Sequence, residues 1–227
     1  MTQPRYNVFN LIHKGLRHFM YDTALKIQKV DFADPAASTV MAQLEEMLGY
    51  FEQHAHHEDN HVLPPVQRYD AALVDDFEAQ HVEDHRLGHE LEQTIAQWKQ
   101  ATSAEEKRIA GRTLFYLFNE FIAFNLYHMN KEEKEINGVL WTNYADADLM
   151  QITQRIIADI QPAALMAQSR WMMRSINSQE LLGWLGGIKA TAPAPVVKMF
   201  AEMAQQELPL EQWLEVKTML FEDAVMA

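Results

Sequence analysis

Four stretches of this chain repeat apolar residues at steps of three and four, and in each stretch the apolar stripe is interrupted by histidine or carboxylate. This period predicts four amphipathic helices, over residues 5–30, 38–63, 70–100 and 103–138. Ser38 or Thr39 is suited to cap the second helix, and Pro64-Pro65 is expected to end it, because proline cannot continue a helix. Four helices joined by short connections predict an all-α fold, an antiparallel up-down four-helix bundle.

The chain divides into two chemically different parts. All ten histidines lie between His13 and His128, and turn-favouring residues break the apolar period near residue 145. We therefore expect a bundle over residues 1–144 and a helical C-terminal extension of unknown role over residues 145–227. Pro162 and Pro209 are expected to open helices in the extension, Ser178 to cap another, and the segment 194–206 to form one more.

Composition excludes several classes of protein. The 227 residues include no cysteine, which removes disulfides, thiolate metal sites and cysteine nucleophiles. A formal net charge of −13 disfavours binding to nucleic acid or to an anionic membrane surface. The first residues lack a secretory leader pattern, and no apolar run is long enough for a transmembrane helix. The sequence therefore predicts a cytoplasmic protein that binds neither nucleic acid nor membrane.

Three of the predicted helices carry pairs of metal-ligand residues on the apolar stripe. Residues four apart on a helix lie within about 40° of each other and about 6 Å apart, so two such side chains can reach one ion. Burying the polar groups of several such pairs without compensation would cost several kcal/mol per charged group, and bound cations are the simplest compensation. The predicted metal ligands, including one on the first helix, are His13, His54, Glu58, His81, His85, His128 and Glu132.

An internal repeat supports two ions in preference to one. His13 precedes His54 by 41 residues and His85 precedes His128 by 43, and a glutamate follows four residues after the second histidine of each pair. Two helix pairs with this pattern predict a bundle with a pseudo-twofold axis. Such an axis brings two half-sites together at the centre.

Some assignments stay open at the level of sequence. His18 is an alternative to His13, although it shares its stripe with more polar residues. Glu133 is an alternative to Glu132 if the helix is locally widened, since a five-residue step otherwise turns 140° away from His128. His61 and His89 lie near the site stripes and are candidates for orienting a ligand by hydrogen bonding.

A ferritin-like di-iron site was the competing interpretation. Glu58-x-x-His61 and Glu78-x-x-His81 match its Glu-x-x-His motif. However, the first glutamate of the chain is Glu45, so the first helix cannot supply the carboxylate that this class requires. The predicted ligand set is also richer in imidazole, which favours iron, copper or zinc over magnesium or calcium.

The motifs resemble those of the hemerythrin-like (HHE cation-binding) family. The segment from His54 to Pro64 is similar to the family's His-x-x-x-Glu helix, His81-x-x-x-His85 to its third helix, and His128-x-x-x-Glu132 to its last helix. The resemblance covers residues 5–142 and implies a non-heme di-iron centre. It implies that Glu58 and the last-helix carboxylate bridge the ions. One iron would be held by His81, His85 and His128, and the other, with an open position, by His13 and His54.

This resemblance implies binding of O2 or NO for sensing, storage or signalling. The alternatives are a di-iron enzyme with oxidase, peroxidase-like or nitric-oxide stress chemistry, and a helical interaction module stapled by zinc or another transition metal. Whether the protein turns over a substrate is not decided by the sequence. The C-terminal extension is a candidate surface for a homodimer or a protein partner.

Overall fold

The computed structural model describes residues 5–221, and all regular structure in that range is helical, as predicted. The chain forms two compact units that divide after Gln161. The helices of the first unit are α1 (Asn10–Lys29), α2 (Ala37–His57), a π-helical segment (Glu58–Val62), α3 (Leu63–Gln67), α4 (Ala71–Gln100), α5 (Ala104–Asn143) and α6 (Asp146–Asp159). Those of the second unit are α7 (Pro162–Ser175), α8 (Ser178–Thr191), α9 (Ala194–Glu207) and α10 (Leu210–Leu220).

The four long helices of the first unit contact one another in a closed ring. Helix α1 packs on α2 and α5, and α4 packs on α2 and α5. In the contact between α5 and α4, Asn125 bonds to Asp84 and His128 bonds to Gln80. Residue numbers rise along α5 while they fall along α4. These two helices therefore run antiparallel.

The apolar core of the first unit lies on both sides of a polar level. On one side, α3 and α6 join α4 and α5 around side chains such as Phe77, Ile136 and Leu149. On the other side, Phe19 of α1, Met47 of α2 and Leu91 of α4 are fully buried. The buried histidines and glutamates lie along the chain between these two sets, so apolar packing closes the polar level from both ends.

Two features of the first unit differ from the sequence expectation. Pro64 and Pro65 do not end the helical path. They lie in the first turn of α3, a position that tolerates proline, and the preceding turn widens into the π segment. Helix α6, where we expected the domain boundary near residue 145, is part of the first unit because Leu149 and Ile152 are buried in its core.

The second unit contains the four helices expected in the extension. Asn177, and not Ser178, caps α8, because its side chain accepts a hydrogen bond from the backbone N–H of Glu180. Arg170 and Arg174 of α7 both pair with Glu207 of α9. None of the helices within residues 5–221 is long and apolar enough to span a membrane.

Gly111 of α5 marks the closest approach of a loop to this helix. A Cβ atom built on Gly111 would lie 2.0 Å from Cγ of Phe32, in the connection between α1 and α2. The backbone carbonyl of Phe32 also accepts a hydrogen bond of 2.9 Å from the indole of Trp98. Gly111 therefore lets the α1–α2 connection pack directly on the α5 backbone.

We predict opposite effects of alanine at two glycines of α5. Gly111→Ala should lower the free energy of unfolding by about 1–3 kcal/mol, because Phe32 must move. Gly138→Ala is the matched control: its Cβ meets nothing within 4 Å, and it should gain up to about 1 kcal/mol from helix propensity. Urea unfolding of both variants measures these changes, and equal stabilisation by both would contradict the packing at Gly111.

Candidate metal centre

Six of the seven predicted ligands come together in the first unit. They form two groups whose ligand atoms all lie within 4.8 Å of one another, and the groups share both glutamates. The first group is His13, His54, Glu58 and Glu132, and the second is Glu58, His81, His128 and Glu132. Apart from His54, which is partly buried, these residues are at most 4% exposed.

Each glutamate offers one oxygen to each group. Oε1 of Glu58 is 3.0 Å from Nε2 of His54, and Oε2 is 3.4 Å from Nε2 of His81. Glu132 is arranged in the same way, with Oε2 3.4 Å from Nε2 of His13 and Oε1 3.1 Å from Nε2 of His128. Ligand bonds of about 2.0–2.2 Å to a transition metal would place neighbouring donor atoms about 3 Å apart or slightly more. The spacing within each group therefore fits metal ligation, and the two groups share both carboxylates.

Several donor atoms at the centre have no hydrogen-bond partner within residues 5–221. They are both oxygens of Glu58, Oε2 of Glu132 and Nε2 of His81. The neighbouring donor atoms are close, but their angles do not form hydrogen bonds. Buried polar atoms are normally paired, and an unpaired one costs about 1–3 kcal/mol or more. The donor set therefore fits a cation, which would satisfy these atoms together.

The outer nitrogens of three site histidines are each held by an acceptor. Nδ1 of His13 donates to Glu133 at 2.9 Å, Nδ1 of His81 donates to Asp59 at 2.7 Å, and Nδ1 of His128 donates to Gln80 at 3.0 Å. Such bonds fix the tautomer and the ring orientation, and they direct Nε2 toward the interior, where it could bind a metal.

The two His-x-x-x-Glu motifs use consecutive acids in the same way. Glu58 and Glu132 point into the cluster, and the acid that follows each, Asp59 or Glu133, holds a histidine of another helix from outside. The sequence analysis missed Asp59 and Gln80 altogether. A second acid directly after the glutamate in both motifs was the available signal for Asp59.

The two alternatives left open by the sequence, His18 for His13 and Glu133 for Glu132, both lie outside the two groups. His13 is fully buried within the first group, whereas His18 belongs to neither group. Glu132 lies in both groups, while Glu133 is bound by His13 and by Arg17 at 2.7 Å. Of the candidates for orienting a ligand, His61 is bound to Asp159, and His89 is exposed and bonded to Gln93.

The structure does not bring His85 into either group, contrary to the sequence expectation. The buried positions in this part of α4 are Phe77, His81, Asp84 and Leu87. The buried residue one turn after His81 is therefore Asp84, three residues later, and not His85, four residues later. Asp84 accepts a 2.6 Å hydrogen bond from the Asn125 amide, and burial raises the pKa of its carboxyl. His85 lies on the exposed side of the helix.

Contacts between carboxylates and histidines of different helices also set the protonation of the site. Burial alone would lower the pKa of His13 and His81, but hydrogen bonds to carboxylates outweigh it and raise these pKa values to about 9 and about 12. Burial would raise the pKa of Glu58, but the surrounding histidines hold it well below the usual value. Partial burial would likewise raise the pKa of Glu133, but its hydrogen bonds to His13 and Arg17 lower that pKa to about 2.

The family comparison agrees with this geometry. The family model of the hemerythrin HHE cation binding domain matches residues 6–140. The chain belongs to the hemerythrin HHE family. The match includes all six residues of the cluster, and it ends before α6 and the second unit. Comparisons with curated proteins and with solved structures gave no match.

We predict opposite pH dependences for the metal-free and metal-loaded hemerythrin-like domain. The raised pKa of His13 gives the metal-free form stability that is complete below the unfolded value of about 6.5 and is lost as pH rises through about 9. The lowered pKa of Glu133 gives stability that is complete above about 4.5 and is lost as pH falls through about 2. Metal must displace the imidazole protons, so metal binding should strengthen as pH rises.

Chemical denaturation of the metal-free protein, prepared with a chelator, measures its stability at each pH. Titration with metal at each pH measures the affinity for metal. The free energy of unfolding of the metal-free protein should fall between pH 6.5 and 9, and the fall should be smaller in His13→Gln. A metal-free stability that rises over this interval would contradict the assigned pKa of His13.

Proposed function

We propose that α1, α2, α4 and α5 form an antiparallel up-down four-helix bundle that holds a di-iron centre for binding O2 or NO. The antiparallel pairing of α4 and α5 supports this arrangement, as does the contact between His13 of α1 and His54 of α2 at 3.0 Å. The observation that carries the proposal is the division of each glutamate, Glu58 and Glu132, between two histidine pairs.

The proposed ligand sets are nearly symmetric. His13 and His54 would hold one iron, and His81 and His128 the other, with Glu58 and Glu132 bridging both. This set has one histidine fewer than the family resemblance implies, since His85 lies outside. Each ion would then have four ligand atoms from the protein, which leaves coordination positions free on an iron that accepts more.

The residues around the cluster exclude water. The ring of Phe9 stacks on His13 with 4.9 Å between ring centroids, and Phe124 stacks on His128 at 5.8 Å. The ring of Phe77 also contacts His128, with 5.6 Å between ring centroids. A di-iron centre supplies reversible binding of a diatomic ligand, and a dry surrounding protects a bound ligand from protons and water. The apolar rings therefore support gas binding more directly than hydrolytic chemistry.

Anaerobic loading with Fe²⁺ followed by exposure to O2 or NO tests this function. We expect two iron ions per chain and a change in visible absorption that reverses when the gas is removed. Sustained O2 consumption with release of peroxide would favour the di-iron enzyme instead. Two tightly bound Zn²⁺ ions with no response of the iron-loaded protein to either gas would favour the stapled interaction module.

His81→Ala and His85→Ala are matched variants that test the ligand set. His81 faces both glutamates, whereas His85 is exposed one turn further on the same helix. We expect His81→Ala to lose about one of the two irons and His85→Ala to retain both, as measured by iron content after anaerobic loading and desalting. Equal iron loss from the two variants would return His85 to the ligand set and overturn the assignment of Asp84 as the inward residue.

A further inference from the structure

Helix α6 lies outside the family match but packs on the π segment that carries Glu58. Its Leu149 and Ile152 share a core with Val62, which ends that segment. Near its start, Asp146 accepts a hydrogen bond from Arg5 at 2.6 Å. At its end, Asp159 accepts a 2.6 Å hydrogen bond from Nε2 of His61, which lies in the π segment.

The π segment has fewer backbone bonds than an ordinary helical turn. The N–H of Leu63 reaches five residues back to the carbonyl of Glu58, and the next two residues, Pro64 and Pro65, have no N–H to donate. The carbonyls that those donors would have satisfied therefore do not tie the segment to α3. Side chains supply other bonds here: the Asn60 amide donates to the backbone carbonyl of His56, and His61 bonds to Asp159 of α6.

Asp159 occupies a helix position that is unfavourable for a carboxylate. It is the last residue of α6, and the C-terminal end of a helix carries partial negative charge from its free carbonyls. No basic residue lies in the last turn of α6 to offset this charge. The hydrogen bond from His61 offsets part of this charge and joins the end of α6 to the π segment.

We propose that His61 and Asp159 are positioning residues for the metal centre, which hold the π segment in the register that places Glu58 between the two histidine pairs. This inference rests on the proposed metal-binding function. The pair acts through the backbone: His61 lies three residues after Glu58 and two after Asp59, the residue that orients His81. Loss of the pair would loosen both the bridging carboxylate and the outer support of His81.

Titration of the metal-free protein with Co²⁺, followed by visible absorption well below the unfolding temperature, tests the proposal. Asp159→Ala and His61→Ala should each weaken Co²⁺ binding about tenfold, in the range typical for residues that support metal ligands. The double variant should be no weaker than either single variant, because both remove the same contact. Asp159→Asn keeps a hydrogen-bond acceptor and should restore most of the affinity.

Gln154→Ala, at an exposed and uncharged position of the same helix, is the matched control and should bind Co²⁺ like the unaltered chain. A purely structural role of Asp159 would lower the melting temperature of the metal-free protein and leave both Co²⁺ affinity and the Co²⁺ absorption spectrum unchanged. That result would overturn this inference alone. Failure of the unaltered chain to bind Co²⁺ or Fe²⁺ would instead overturn the proposed function.

Discussion

The burial of Glu58 and Glu132, three of whose four carboxylate oxygens lack a hydrogen bond within residues 5–221, is the constraint on which the first unit depends. Transfer of a carboxylate into a protein interior costs several kcal/mol unless an opposite charge and hydrogen bonds compensate it. In Glu58 both oxygens are buried and without a hydrogen-bond partner in the described chain, and in Glu132 one oxygen is. In the metal-free protein, protonated His13 and His81 supply part of the compensation, as their raised pKa values show. A metal ion would compete with these protons for the same ring nitrogens and would bring a larger charge, so metal binding would require release of the protons.

The hydrogen bonds on the outer side of the site determine which nitrogen of each ring is available. A histidine that donates from Nδ1 must present Nε2 to the interior, and Glu133, Asp59 and Gln80 impose this on three rings. These acceptors lie on helices other than those of the histidines they hold. The site is therefore organised by packing between helices, and a shift of one helix would disturb the ligand set of its neighbour as well as its own.

Sequence reasoning predicted the parts of this arrangement that depend on helical period. The stripe positions and the four-residue steps gave His54 with Glu58 and His128 with Glu132, because an α-helix stacks such residues on one side whatever surrounds them. The same rule failed at His85, because the packing of α4 takes the three-residue step to Asp84 instead. Both steps are compatible with the helical period, and only contact with a buried partner, here Asn125, decides between them. Helix α6 was missed because its first residues favour turns as well as helix starts.

The two motifs have the same chemistry but are built on different backbones. In α5, Glu132 and Glu133 are consecutive residues of a regular helix. Glu132 points into the cluster, and Glu133 accepts the hydrogen bond from His13. In the corresponding place after α2, Glu58 and Asp59 begin the π segment, whose wider turn is followed by two prolines. The α5 motif is fixed by continuous helical hydrogen bonds, whereas the α2 motif has lost some of them and is held by side chains, including His61 against Asp159. The two motifs thus place matching ligands on unequal backbones, and α6 packs on the π segment of the α2 side.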